Sequence, residues 1–534
     1  MVGVAGKSQA CNACRQKRLK CDLTRPSCLK CIKSGKACTG YSRDLIFVNR
    51  TPLDRSITAT SVLSERRAQQ QQQKGGTVNS NAETELHLLF SESSHDNEKF
   101  RKHAIKILEA TYLPKQLVPS NSKPETNEGS FSWVYYLTDL TEPSKSLDTS
   151  LFAFCLTQLH ITGTDQVSLY ECLEQYNAAL QHLSSDLDDL QKRSQEETLA
   201  AIIVLSTCEL FVCPAGGGWG VHARGLAEII RLRDPETPNT PAWRHLFSRL
   251  RIVCTLDALT KRQARILENN IWHQIVAESG FTGPLDEVYT IISDVPAILE
   301  QAVALPSIDD LDIFSKKSAV IIQSVLDVAE AVRSWRDEFC KPSSKPHAWL
   351  VPSSVTNPAE TGLSDKMFPL CFEFESLGVA VPIVMCWSVA AQLYSHVIQI
   401  FELAQTRLGR HITLEYILAQ VNPTQAGAMN LSQSSNQDVL IPAVDDVQKR
   451  GTEMAHCICQ SLEYFHRIEM GTYGGHATTY PSWSARQYFR LHAGHERERL
   501  WLQNLHKMEG PGTRWGLSLM TFADIIKSLS DLSG

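Results

Sequence analysis

Apolar residues in much of this chain recur at the three- and four-residue spacing of an α-helix that buries one face. Phe100, Ala104, Ile107, Leu108 and Thr111 fall on one such face, and Pro114 ends the segment. The same spacing recurs further along the chain at Leu169, Leu173, Tyr176, Ala179, Leu180 and Leu183. We predict an amphipathic helix in each segment.

Other segments also favour helices over strands. Residues 199–211 are almost uniformly apolar and predict a buried helix, which Pro214 and the three glycines at 216–218 would stop. A helix follows through 221–232, and another is predicted by Ile321, Val325, Val328, Val332 and Trp335. Few stretches with a two-residue period are long enough to pair as a sheet. The predicted fold class is therefore mainly α, with an all-α domain over residues 86–534.

Residues 376–395 form a long stretch without a charged side chain. These twenty positions are enough to span a bilayer. Pro382, Gln392 and three serines weaken that interpretation. We therefore expect a core helix of the α-domain and no membrane partner.

Residues 51–85 predict a linker. They contain a run of five glutamines at 69–73, a Gly-Gly pair at 75–76 and few apolar residues that could bury a face. Leu53 and Ile57 could begin a heptad repeat, but its next two core positions would be the polar residues Thr60 and Ser64. No coiled coil is therefore predicted. A homodimer would then form through the helical domain.

The N-terminal segment contains a repeated Cys-x2-Cys-x6-Cys pattern. Its six cysteines are Cys11, Cys14, Cys21, Cys28, Cys31 and Cys38. Cys-x2-Cys pairs can direct two thiolates at one Zn²⁺ ion, and no histidine precedes His87. Six thiolates saturate two zinc ions only if two of the sulfurs bridge, so the pattern indicates a binuclear cluster.

Two other interpretations of the cysteines compete with the cluster. Three disulfides would require an oxidising compartment, but residues 1–9 contain no apolar signal segment. A single four-cysteine site would leave the symmetry of the two triplets unexplained. The ten remaining cysteines show no repeat, and we expect buried free thiols in a reducing compartment.

Positive charge is concentrated near these cysteines. Arg15, Lys17, Arg18 and Lys20 lie between the second and third cysteines. Residues 1–50 contain eleven lysines and arginines against two aspartates, a formal charge of +9, whereas the whole chain carries −6 and the remainder therefore −15. Even with about −2 from two Zn²⁺ and six thiolates, the segment stays basic, which is typical of a module that binds a polyanion.

The cysteine pattern with its basic segment resembles the DNA-binding domain of fungal zinc binuclear cluster (Zn2Cys6) transcription factors. The resemblance implies that residues 1–50 bind two Zn²⁺ ions, with Cys11 and Cys28 bridging them. It also implies that the helix after Cys14 enters the major groove, where Lys17 and Arg18 read a GC-rich half-site. Arg15 and Lys20 are then placed for phosphates. Arg18 stands where the family often has lysine.

The remaining chain resembles the fungal-specific transcription factor domain, over most of residues 130–505. The similarity rests on Gly218-Trp219-Gly220-Val221-His222-Ala223-Arg224-Gly225 and on Ile458-Cys459-Gln460-Ser461-Leu462-Glu463-Tyr464. It implies a regulatory domain. The expected function is a nuclear, DNA-binding regulator of RNA polymerase II transcription that contacts the transcription machinery and controls metabolic or secondary-metabolite genes.

An enzyme or small-molecule sensor directed to DNA by the cluster is the alternative. Outside the N-terminus we find no nucleophile with a base, no phosphate loop and no complete metal motif, so no catalysis is expected. His492 and His495 do not match zinc peptidase spacing, and we predict a surface-exposed charged helix there. His456, Cys457 and Cys459 are interpreted as core packing.

Overall fold

A computed structural model describes two parts of the chain. In the N-terminal part it describes residues 21, 31, 33 and 34; in the remainder it describes 97–115, 131–163, 167–212, 219–232, 240–264, 283–341, 346–362, 365–409, 411–421 and 443–517. The contacts divide the chain into two compact units, Met1–Ser64 and Glu65–Gly534. The linker predicted at 51–85 lies outside the described residues.

The described residues of the second unit are mainly helical. The first ten helices are α1 (Asn97–Thr111), α2 (Trp133–Tyr136), α3 (Lys145–Ile161), α4 (Leu169–Asp188), α5 (Glu196–Val212), α6 (Trp219–Leu232), α7 (Pro241–Lys261), α8 (Pro284–Ile291), α9 (Val295–Ala304) and α10 (Leu311–Phe339). After a two-stranded sheet, β1 (Ala348–Pro352) and β2 (Leu370–Phe374), come α11 (Leu377–Leu408), α12 (Leu414–Leu418), α13 (Val444–Phe465), α14 (Gly471–Ala477), α15 (Thr479–Leu491) and α16 (Glu496–Gln503).

Local capping fixes where several helices begin. Ser168 and Glu171 form a reciprocal capping box at the start of α4. The Thr240 hydroxyl accepts a hydrogen bond from the Trp243 amide before α7, whose first residue is Pro241. Asp310 accepts from the amides of Asp312 and Ile313 at α10. These side chains satisfy amide donors that a helix leaves free in its first turn.

The predicted amphipathic helices are confirmed. The predicted face of α1 is buried, and so are most residues of α5, including Leu199, Leu205 and Phe211. In α4, Ala179 and Leu183 are buried, whereas the other predicted residues are half-buried and pack against the core. α4 is therefore a peripheral helix, and α5 is an interior one.

The buried apolar residues form two core clusters. The first combines residues of α1, α3 and α5 with residues of α13 and α15. The second is built mainly by α8, α9, α10 and the middle of α11. Both α7 and α11 contribute to the two clusters: Trp387 and Ala391 of α11 belong to the first, and Leu393 and Val397 to the second. These two helices therefore join the cores.

Helix α11 contains the uncharged stretch of the sequence. Two described segments, Pro284–Ser307 and Leu377–Leu408, are long and apolar enough to cross a membrane by length and composition alone. In the second, 89% of the apolar window is buried inside the protein. It packs against α10, α13 and α15. This burial agrees with the prediction of a core helix.

The sequence predicts an all-α domain, but the structure also contains one small two-stranded sheet within the described residues. Strands β1 and β2 pair antiparallel, with Leu350 opposite Phe372. The Arg467 guanidinium binds the Glu373 carboxylate through two N–H groups, one at 2.8 Å, and the Phe374 ring packs edge-on against Tyr464. The sheet is thereby attached to the end of α13.

Candidate metal centre and nucleic-acid interface

The described residues of the cysteine-rich segment show how one thiol is held. Cys31 and Lys33 are helical, and Cys31 is only 5% exposed. The amide and the hydroxyl of Ser34 both donate to the Cys31 carbonyl oxygen, at 3.2 and 2.9 Å. Cys21 is half-buried. A cysteine on a hydrogen-bonded turn suits a structural metal site, because the turn holds its backbone in a defined position.

The other predicted site residues lie outside the described residues. They are the zinc ligands Cys11, Cys14, Cys28 and Cys38 and the DNA contacts Arg15, Lys17, Arg18 and Lys20. The donor set itself fits zinc: six soft thiolates in two identical triplets, with no histidine in the motif, are what a closed zinc site uses. When bound, the ions crosslink the two halves of the repeat, and this supplies folding energy to so small a unit.

Thiols of the helical unit have a different chemistry. Among the described ones, seven are buried: Cys155, Cys172, Cys208, Cys254, Cys371, Cys386 and Cys459. Burial raises the pKa of Cys172, Cys208 and Cys386 to about 12. With pKa values raised in this way, these thiols are protonated at neutral pH and so are weak nucleophiles. This agrees with the expectation of buried free thiols.

The histidine and cysteine motifs considered as metal sites are packing elements. His456 Nε2 lies 3.1 Å from Glu498 Oε1, and Cys459 is buried in the first core cluster. Between residues 97 and 517, the described His, Cys, Asp and Glu side chains include no group of three that could hold a metal ion.

The prediction of an exposed helix at 492–496 is wrong for the two histidines. His492 and His495 are 5% and 9% exposed, and α16 begins only at Glu496. His492 Nε2 lies 2.9 Å from the Ser395 hydroxyl of α11, and His495 Nδ1 lies 3.3 Å from Glu498 Oε1. The Ser395 contact of His492 comes from a distant helix, which the local charge pattern does not reveal, whereas His495 contacts a residue of the helix that it precedes.

The glycine-rich motif before residue 225 has a structural role. His222 of α6 is buried, with Nε2 at 3.0 Å from Glu209 Oε2, and the Tyr176 hydroxyl donates to the same oxygen at 3.1 Å. A Cβ atom at Gly220 would collide with the Asp257 and Lys261 side chains of α7. The motif therefore lets α6 pack closely against α4, α5 and α7.

Two family comparisons decide what kind of protein this is. The sequence model of the fungal Zn(2)-Cys(6) binuclear cluster domain matches residues 9–45. That of the fungal specific transcription factor domain matches residues 115–399, more than half of the chain. The chain belongs to the fungal Zn(2)-Cys(6) transcription factors. Its cluster domain binds two zinc ions, and DNA binding, transcription regulation and nuclear localisation are typical of this family.

Relatives of this fungal Zn(2)-Cys(6) factor match only parts of it. An uncharacterized protein of Emericella nidulans is 24% identical over 215 residues, 38% of this chain and 45% of the relative. An uncharacterized transcriptional regulatory protein of Schizosaccharomyces pombe is 21% identical over 206 residues, 38% of this chain and 31% of the relative.

A third relative matches over a much shorter segment, but with higher identity. The acriflavine sensitivity control protein of Neurospora crassa is 51% identical over 37 residues, 7% of this chain and 6% of the relative. In all three cases the chain spans less than half the length of the curated relative that it matches. No solved structure gives a significant match.

Proposed function

We propose that this chain is a nuclear regulator of RNA polymerase II transcription that reads GC-rich half-sites in metabolic or secondary-metabolite genes. The observation that carries the proposal is the basic segment between Cys14 and Cys21, inside a six-cysteine repeat that matches the family's DNA-binding domain. The cluster holds this segment as a helix that enters the major groove.

Each predicted site residue has a separate role in this proposal. Cys11 and Cys28 bridge the two zinc ions, and Cys14, Cys21, Cys31 and Cys38 complete the coordination. Lys17 and Arg18 donate to base edges, where arginine can bind guanine through two hydrogen bonds. Arg15 and Lys20 bind phosphates, which set register without reading sequence.

The charge distribution supports binding through the N-terminal segment alone. Residues 1–50 carry +9, and the remaining residues carry −15. An acidic helical domain is repelled by the phosphate backbone, while the basic segment is attracted to it. Non-specific binding should therefore be weak and strongly dependent on salt.

A comparison of two alanine variants tests the recognition helix. Arg18→Ala removes a base contact, so it should cost about 1–3 kcal/mol on the preferred site and relax the selected sequence. Lys20→Ala should weaken binding to all sequences alike and flatten the salt dependence. Binding-site selection followed by titration at several salt concentrations measures both effects. An Arg18→Ala variant with unchanged site preference would show that another segment reads the DNA.

We also propose that the chain is organised as residues 1–50, 51–85 and 86–534, with dimer contacts in the last segment. About three base pairs per cluster give too little specificity for a genome, so two half-sites are needed. Residues 51–73 lack a heptad repeat. Sedimentation of residues 1–85 and 86–534, with probes of varied half-site spacing, tests this. A stable dimer of 1–85 with one strict spacing would contradict it.

A second role, small-molecule sensing by the helical domain, is favoured by one observation. Arg249 lies buried in that domain without a carboxylate partner among the described residues.

A further inference from the structure

Arg249 is a buried cation in the middle of α7. Its side chain is only 6% exposed. One terminal nitrogen, Nη2, donates to His476 Nε2 at 3.0 Å, and the guanidinium carbon lies 6.0 Å from the centre of the Trp133 ring. The Nε–H group is buried and has no acceptor within the part of the chain that the structure describes. The guanidinium is thus largely desolvated and only partly hydrogen-bonded.

Its one hydrogen-bond partner is neutral. A guanidinium can only donate, so His476 Nε2 must accept, and the ring proton is on Nδ1. Nδ1 then donates to the Tyr112 hydroxyl oxygen at 2.9 Å. Burial, and then the charge of Arg249, hold the pKa of His476 well below its usual value. His476 therefore fixes the guanidinium but does not neutralise it.

A second arginine of the same helix provides the contrast. Arg251 is also buried, and its Nη2 donates to the Thr290 hydroxyl at 2.8 Å. The negative charge of Asp286 acts on it. The positive charge of Arg249 instead acts on Tyr112, Tyr289, Tyr473 and His476, and no described carboxylate forms an ion pair with it. One of the two arginines thus has a carboxylate neighbour, and the other faces aromatic rings.

Unpaired donors collect around Arg249. Trp133 Nε1 and the Tyr289 hydroxyl are buried and, like Arg249 Nε, have no hydrogen-bond partner. Trp133 belongs to the first core cluster and Tyr289 to the second. Trp133 Nε1 and Arg249 Nε can only donate, whereas the Tyr289 hydroxyl can also accept, so this region holds two buried donors that lack an acceptor among the described residues.

This imbalance indicates an absent anion. An ionised group without a partner in a protein interior is strongly unfavourable, and most buried ionisable groups change their protonation state and become neutral. Arginine cannot, because its pKa is too high. We propose that Arg249 binds the carboxylate of a small monoanionic ligand with an apolar or aromatic body.

The chemistry of the surroundings selects this class. A carboxylate presents two oxygens in one plane, which match two N–H groups of a guanidinium. One uncompensated cation calls for one negative charge, so a doubly charged phosphate suits the site less well. The rings of Trp133, Tyr289 and Tyr473 suit an apolar ligand body. Because the Trp133 ring centre lies 6.0 Å from the guanidinium carbon, we expect ligand binding there to change the Trp133 fluorescence.

The inference extends the proposed function, since it gives the regulatory domain an effector that would bridge the two cores. Ligand binding is measured without DNA, so a protein that fails to regulate transcription could still bind the carboxylate. The two proposals can therefore fail separately.

The test uses the full chain with zinc and four probes. Benzoate, phenylacetate and hexanoate are compared with the uncharged benzamide by titration calorimetry and tryptophan fluorescence. At least one carboxylate should bind saturably, and benzamide should not. Arg249→Met should weaken that binding about 30-fold or more, because it removes the buried charge partner. Arg244→Met, an exposed arginine of α7, is the matched control and should bind as the wild type does.

Protein stability provides a second readout. Without ligand, Arg249→Met should melt at or above the wild-type temperature, because methionine fills the space without a buried charge. A strongly destabilised variant would mark Arg249 as a structural residue and overturn the proposal. The proposal is also overturned if the wild-type chain binds none of the three carboxylates, or if it binds benzamide equally well. Neither of these two results depends on the folding of a variant.

Discussion

Protonation of His466 should destabilise the helical domain in mild acid. This residue is fully buried at the end of α13, where its ring stacks on Trp515 with centres 4.4 Å apart. Nδ1 donates to the Leu462 carbonyl at 2.8 Å, so a second proton would have to be added at Nε2, which is buried without a partner. Burial lowers the pKa of His466 from 6.5 to about 4, although the bond to Leu462 opposes this.

The sign and size follow from proton linkage. Between pH 6.5 and 4, His466 is protonated in the unfolded chain but not in the folded chain. The free energy of unfolding therefore falls as the pH falls through this range. With these two pKa values, the loss from pH 7 to pH 5 is about 2 kcal/mol for His466 alone.

His466→Phe isolates this contribution. Phenylalanine keeps the stacked ring but cannot titrate, so the variant should lose about 2 kcal/mol less than the wild type between pH 7 and pH 5. Urea unfolding followed by circular dichroism measures the difference. Effects common to both proteins, such as zinc release in acid, cancel, and so does the pH-independent loss of the bond to Leu462.

His411→Gln, at an exposed position, provides the control and should keep the wild-type pH dependence. If His466→Phe has the same pH dependence as the wild type, His466 is already protonated or solvated in the folded state. Burial would then not be what sets the proton affinity of this ring.

Two further predictions concern the zinc cluster and helix packing. Native mass spectrometry of the full chain should show two zinc ions, and chelation should abolish DNA binding while the helical signal remains; one zinc ion, or three disulfides, would contradict the binuclear cluster. Gly474→Ala should destabilise the helical domain by about 3 kcal/mol in thermal or urea unfolding, since the new Cβ would lie 1.9 Å from the Phe465 carbonyl oxygen. Gly225→Ala, whose Cβ would meet nothing within 4 Å, should be neutral or slightly stabilising; equal effects of the two alanines would disprove the steric argument.

The parts predicted well from sequence are those specified by nearby residues. The zinc-binding motif lies within 28 positions, the buried face of α1 follows from apolar spacing over about four turns, and the burial of α5 follows from its almost uniformly apolar sequence. Helix α11 was separable from a membrane span because Pro382, Gln392 and its serines suit a protein interior better than lipid.

The parts that were missed depend on distant residues. The β1 and β2 strands have five residues each, and Trp349, Leu350 and Leu370 are exposed, so their apolar pattern shows no buried face. Arg249 is one of three arginines in α7, and its partner His476 lies 227 positions away. Burial of His492 likewise depends on Ser395, 97 positions earlier.

Helix α11 also sets a limit on how this protein can be divided. The match to the fungal specific transcription factor domain ends at residue 399, but α11 continues to Leu408 and carries residues of both cores. A protein cut at residue 399 would sever this helix and discard α13 and α15, which pack along it. Tyr394 and Val397 would then lose neighbours that keep them from water. The folding unit of the helical domain is longer than the segment over which its sequence resembles other members of the family.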